Sequence, residues 1–365
     1  MAKKEQYYSL DNILKTGAQY LIIYGMRSNG KSYACKRFVL EDAYKNQRYF
    51  VYLRRWSEDI REKDVNNYFE DIPVEKITKG EYNKVIAFRG YFYFGNEDPD
   101  TFEVTRGPQI GRYCALNLYE RYKSQVFKDT YNILYEEFIT NRIYLGGAAG
   151  SMNSEPRMLM GFVSTVLRDR DGKVFLIGNT VSRVNPYTEE WSLHNMVKGQ
   201  KPGTIDLYHL RGENGVVDIA VENCEVVQTK SKMFFGLASK QITSGEWEVS
   251  EVPKLLKPYE YYDMLYELVI KCNDFKYILQ LMYDETSGGT FVYIYPKTKK
   301  KKIKRLISNE FSVDPFVSNG LMGKIRAEMK IAECFRSGKV CFSDNLTGTD
   351  FKQVMEMYDM KGVII

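Results

Sequence analysis

Apolar residues in the first half of the chain come in short unbroken runs. Tyr20–Tyr24, Tyr49–Leu53, Ile133–Tyr135 and Val174–Ile177 each end in a polar or glycine-containing stretch. Runs of this kind predict strands buried on both faces, as in a mostly parallel sheet covered by helices. After the first run, Ala34, Phe38 and Val39 recur at helical spacing, and Met158, Phe162, Val163 and Val166 mark one face of a helix over residues 155–167. A short helix is expected at Leu10–Leu14 within a lead-in over 7–18, and a charged helical region over 57–80. Val85–Phe88 and Tyr91–Phe94, split by Arg89-Gly90, predict a hairpin; a loop over 95–109 and a strand at Tyr113–Leu116 follow.

Beyond residue 200 the pattern changes. Strand-like stretches lie near 204–210 and 216–221, and 225–257 shows no sustained period, which predicts a connector. Residues 275–283 and 291–295 flank Ser287-Gly288-Gly289 as a second hairpin. Helices near 321–335 and 348–358 are expected around a strand at Val340–Phe342. The expected organisation is an α/β domain over 1–224, a linker over 225–257, and a smaller α+β domain over 258–365.

Composition narrows the class. A length of 365 residues with 44% apolar content supports two domains with sizeable cores. Six scattered cysteines, no C-x-x-C pair and two histidines argue against a zinc site or a disulfide framework, and fit a reducing compartment. The first six residues lack an apolar signal region and no run of about eighteen apolar residues occurs, so no membrane span is expected. The net charge of +5 is mild.

The chemistry begins where the first run ends. Gly25-Met26-Arg27-Ser28-Asn29-Gly30-Lys31-Ser32 fits G-x-x-x-x-G-K-[ST] between a strand and a helix. Loop N–H groups and a helix N-terminus form a nest for phosphate; Lys31 can reach the β- and γ-phosphates and Ser32 can ligate Mg²⁺. Gly25, Arg27, Ser28, Asn29, Gly30, Lys31, Ser32 and Tyr33 are therefore the nucleotide-binding candidates. Arg54 and Arg55 end the second run, where either could face a nucleotide or solvent; Arg55 is taken as a nucleotide contact. Glu136 and Glu137 end the third run, in a strand expected beside the loop strand. The first carboxylate would order the Mg²⁺ shell and the second activate water. Asn179, ending the fourth run, can sense the γ-phosphate, hold the catalytic glutamate, or form a turn. The basic run over 297–305, including Lys299, Lys300, Lys301 and Lys302, suits nucleic acid or simply a solvated face.

These segments, with Thr165-Val166-Leu167-Arg168-Asp169-Arg170 and Asn179–Tyr187 in the same order, resemble the DNA-packaging ATPases of phi29-like phages, relatives of the large terminase motors. The resemblance covers about residues 15–190. It implies an additional-strand phosphate-loop fold and a second domain like a reduced ribonuclease-H-like nuclease. It also implies Mg–ATP hydrolysis in a homopentameric ring at the portal vertex of a procapsid in the host cytoplasm, absent from the mature virion. Such a ring pumps double-stranded DNA, in some systems with a structural RNA. By resemblance, Arg27 responds to the γ-phosphate, Glu136 binds the metal, Glu137 is the catalytic glutamate, and Arg168, with Arg170 as second candidate, is a trans-acting arginine finger. Arg61 and Lys63 are candidates for the DNA-facing lumen. Glu136 departs from the Asp expected there. Because 275–283 holds no Asp or Glu, an active nuclease is not expected. A helicase, a terminase with a working nuclease, and a nucleotide-gated scaffold are the competing readings.

Overall fold

The computed structural model describes residues 7–140, 144–146, 153–193, 197–212, 215–225, 247–298, 305–310, 312–319 and 325–358. By internal contacts the chain forms two units: Met1–Arg183 with Tyr187–Glu248, and Val184–Pro186 with Val249–Ile365. Of the expected connector over 225–257, residues 226–246 lie outside the described residues.

The first unit holds β1 (Tyr20–Gly25), β2 (Tyr49–Arg54), β3 (Lys84–Phe88), β4 (Tyr91–Glu97), β5 (Val104–Ala115), β6 (Thr130–Glu136), β7 (Lys173–Asn179), β8 (Thr204–Gly212) and β9 (Gly215–Asn223). They form one sheet in the order β3-β4-β5-β2-β6-β7-β1-β9-β8. The strands from β5 to β9 in that order run parallel; the outer β3, β4 and β8 pair antiparallel. Helix α1 (Lys31–Asn46) and helix α2 (Glu155–Leu167) contribute to opposite cores. Leu21 and Ile23 of β1 pack with Cys35, Val39 and Leu40 of α1, whereas Ile22 and Tyr24 pack with Leu159, Phe162 and Val166 of α2. A strand covered on both faces needs apolar residues at every position, which is why the runs were unbroken. Each such side chain contributes about 1.5–3 kcal/mol when fully buried.

The sheet order corrects one expectation. The acid-bearing strand β6 is not beside β1: β7 lies between them. That intervening strand is the additional strand of the predicted fold class, and it places Asn179 between the loop and the acids. The helical region expected over 57–80 is broken into short turns at Ser57–Ile60, Glu62–Val65, Asn66–Phe69 and Val74–Ile77. The strand expected at 113–116 begins at Val104, because the antiparallel β4 extends its pairing.

The second unit contains β10 (Asp263–Cys272), β11 (Phe275–Asp284), β12 (Gly289–Pro296), β13 (Leu306–Ser308), β14 (Val317–Asn319) and β15 (Val340–Phe342), with helices α3 (Arg326–Arg336) and α4 (Asn345–Met357). An antiparallel meander β10-β11-β12 is flanked by parallel partners, in the order β14-β13-β10-β11-β12-β15. Strand β10 was not expected. The hairpin strand β11, free of acids over 275–283 but ending at Asp284, is thus the second strand of this unit, and the first carries Asp263 and Glu267, which removes the stated ground against a nuclease. Among the described residues no helix is long and apolar enough to cross a membrane. The six cysteines are buried and none is in a disulfide.

Candidate active site

The carboxyl ends of β1, β6 and β7 open into a cavity of about 1080 Å³. Its floor is the loop from Arg27 to Ser32, and Tyr33 also lines it. Gly30 caps α1 with φ 93°, a left-handed conformation that L side chains rarely adopt, so glycine is needed there. At Gly25 a Cβ would stand 3.1 Å from the Cβ of Cys224. The loop backbone turns tightly into the N-terminus of α1, where Lys31 N–H donates to Asn29 Oδ1 at 3.3 Å and the first-turn N–H groups favour an anion.

Lys31 is buried beneath this loop. Its Nζ donates to the carbonyl oxygens of Met26 at 2.6 Å and Gly25 at 3.4 Å, to Asn29 Oδ1 at 3.1 Å and to Asn179 Oδ1 at 3.3 Å. Burial pulls the Lys31 ammonium down to about 8, and the Arg27 guanidinium pushes the same way. Arg27 itself is exposed and lies 3.7 Å from Glu248. Asn179 thus meets Lys31 rather than the catalytic glutamate expected as one of its partners.

Glu136 ends β6 and is 7% exposed. Tyr52 donates its hydroxyl to Glu136 Oε2, and Arg54 Nη1 lies 3.8 Å from the same oxygen. Its Oε1 is buried with no hydrogen-bond partner among the described residues. Ser32 and Glu136 both line the cavity and offer hard oxygen ligands. A buried carboxylate oxygen left unpaired among the described residues and a hydroxyl lining the same cavity fit Mg²⁺. Glu137 follows in a left-handed conformation, φ 58°, with its side chain 65% exposed and Arg54 Nη2 donating to Oε2 at 2.7 Å.

Other predicted residues fall elsewhere. Arg55 does not contact the cavity: its buried guanidinium is bound to Glu155 and to the carbonyls of Glu137 and Phe138. The nucleotide contact expected of it is therefore corrected, and Arg54 is the arginine beside the acids. Arg168 caps the C-terminus of α2, exposed and at φ 51°. Arg170 is held within its own chain, donating to the carbonyls of Thr130 at 2.8 Å, Phe127 at 2.9 Å and Val166. It is not a free second finger. Arg61 and Lys63 are exposed around Glu62–Val65 and do not line the cavity. Lys299, Lys300, Lys301 and Lys302 lie outside the described residues.

The sequence reading missed the N-terminal wall. Tyr7, Tyr8, Ser9, Leu10 and Asp11 line the cavity, and Tyr8 is fixed by its N–H to Asn29 O at 3.0 Å and its hydroxyl to Glu222 at 2.6 Å. Two adjacent tyrosines before the loop strand were the available signal, but no local pattern pointed them at the loop.

The chain is similar to known proteins over the part that builds this site. It is 28% identical to the DNA packaging protein of Bacillus phage B103 over 166 residues, which are 45% of each chain. The chain spans about half the length of the curated relatives it matches. The solved bacteriophage Phi-29 viral genome packaging motor assembly shares the fold, with a TM-score of 0.54 and 18% identity over 96% of this chain and 99% of that one. The Phi-28 gp11 DNA packaging motor does so with a TM-score of 0.50 and 16% identity over 97% and 98%. A match running over residues 2–237, well over half of its length, makes this chain a member of the Podovirus DNA encapsidation protein (Gp16) family.

Proposed function

We propose that this chain is an Mg²⁺-dependent ATPase that drives viral double-stranded DNA into a preformed capsid. The observation that carries this reading is the convergence of Lys31, Ser32, Glu136, Glu137 and Asn179 on one cavity. A sensor without turnover needs no exposed carboxylate next to a buried one. In this reading, loop N–H groups and Lys31 hold the β- and γ-phosphates, and Lys31 exchanges its carbonyl partners for phosphate oxygens. Ser32 and Glu136 would hold Mg²⁺, which neutralises phosphate charge. Glu137, drawn away from Arg54, accepts a proton from the attacking water. Asn179 stays close to Lys31, where it can register the γ-phosphate.

Arg168 acts on a neighbouring copy in this reading. It precedes β7, and the cavity lies at the far end of that strand, roughly 20 Å away at about 3.3 Å per residue. Its own nucleotide is out of reach, and a trans arginine typically supplies about 10³–10⁵ in rate. A homomeric ring follows, with five members by family resemblance, docked in the host cytoplasm at the portal of the procapsid and released from the mature virion. DNA is gripped through phosphates without sequence reading, with Arg61, Lys63 and the 299–302 lysines as contacts. A structural RNA is a further candidate partner. We read residues 1–224 as the ATPase domain and 258–365 as a domain contacting nucleic acid or portal, without nuclease activity. There Glu267 accepts from Gln280 at 3.2 Å, and Glu328 is paired with Arg305.

The test is ATP turnover by the full chain with and without procapsids and double-stranded DNA. Stimulation by both, with DNA becoming nuclease-protected, supports the motor. ATP binding without turnover under all conditions refutes it.

A further inference from the structure

Glu137 stands just beyond the hydrogen-bonded ladder of β6, whose last paired residue is Glu136. Its φ of 58° is one that non-glycine residues rarely adopt, so the surroundings must hold it. Its carboxylate is mostly exposed and is met by Arg54 Nη2 at 2.7 Å, so the backbone turn and Arg54 together set where that group points.

Arg55 holds that backbone. Nη1 donates to the carbonyl of Glu137 at 3.0 Å and Nη2 to that of Phe138 at 2.7 Å. The remaining edge binds Glu155, with Nε 3.1 and 2.9 Å from its two oxygens. Glu155, also buried, accepts from the hydroxyls of Tyr135 at 2.8 Å and Tyr187 at 2.7 Å, and from the N–H of Leu145 at 2.7 Å. A buried ion pair is not needed for packing: apolar residues of equal volume would fill the space without desolvating two charges. A planar fork that reaches two successive carbonyls and a carboxylate is something a lysine cannot copy.

We propose that Arg55 and Glu155 are positioning residues for Glu137. They fix the turn that aims its carboxylate and tie that turn, through the Leu145 N–H, to the segment after it. This rests on the reading of Glu137 as the water-activating base.

The experiment is a double-mutant cycle on the full chain with procapsids and DNA. Arg55→Lys lowers kcat about 10- to 100-fold, as a misplacement near 1 Å would, while KM and ATP affinity stay within about twofold. Glu137→Gln, severe in the unsubstituted chain, adds little to Arg55→Lys, because a mis-aimed base is already lost. Additive losses, or a kcat unchanged by Arg55→Lys, overturn the proposal. Glu155→Gln, which keeps the shape, takes the place of Arg55→Lys if that variant does not fold. Amide hydrogen exchange across 137–146 decides independently of catalysis: faster exchange at Leu145 and Phe138 in Arg55→Lys is expected, and unchanged exchange overturns the clamp. A harmless Glu137→Gln, or no ATP turnover in the unsubstituted chain, counts against the proposed function itself, and exchange still judges the clamp.

Discussion

Burial sets the charge of Lys31. Its ordinary value near 10.5 falls to about 8, so the folded apo protein binds fewer protons here than an unfolded chain between pH 8 and 10.5. Over that window the group adds stability as pH rises. Triphosphate binding has the opposite preference, because it needs the ammonium charged. ATP affinity is therefore expected to hold below pH 8 and weaken above it by up to about tenfold per unit, with proton uptake on binding. Calorimetry from pH 7 to 9.5 in buffers of differing ionisation heat measures both; a flat affinity would show that Lys31 does not titrate with the ligand. Tyr52 supports the neighbouring metal candidate by donating to Glu136. Outer-shell donors of this kind typically matter about 10- to 100-fold for metal binding. Tyr52→Phe should raise the Mg²⁺ concentration for half-maximal turnover about tenfold, and an unchanged titration would remove Glu136 from the metal's surroundings.

At the scale of elements, unbroken runs and glycine-bounded turns were legible because they reflect one physical demand, burial on both faces of a strand. Pairing was not legible. The acids of β6 were expected next to the loop strand, yet β7 intervenes, because neighbour choice depends on which edges meet in three dimensions. Strand β10 escaped notice since Asp263, Glu267 and Lys271 interrupt its apolar residues at its ends and middle. Gly111 illustrates a constraint invisible in sequence. It lies opposite Phe50 where β5 meets β2, and a Cβ there would sit 2.6 Å from the Phe50 carbonyl oxygen. Gly111→Ala should destabilise the fold by about 1–3 kcal/mol. Thermal melting would show a lowered Tm with ATP affinity retained in the native fraction; an unchanged Tm would mean that β5 shifts freely.

For the whole molecule, the test falls on Arg168, which we propose acts on a neighbouring copy. Arg168 lies at the opposite end of β7 from the cavity, exposed on a helix cap. Arg168→Ala is expected to bind ATP normally and to hydrolyse it about 10³-fold more slowly. Mixing Arg168→Ala with Glu137→Ala chains should recover part of the turnover, since some interfaces then combine an intact Glu137 with an intact Arg168. Turnover that Arg168→Ala leaves unchanged, or that mixing never restores, removes the trans assignment.

The sequence alone determined the glycine-bounded loop, the two carboxylates after the third apolar run and the alternation of strand and helix, because each is a local pattern of turn geometry, residue identity or burial. Only the tertiary structure decided what each arginine does. Arg54 and Arg55 are neighbours on the chain, but successive residues at a strand end face opposite ways. One meets the carboxylates at the cavity's edge. The other turns into the core on the far side, where Glu155, a hundred residues away, holds it beneath the turn that carries Glu137.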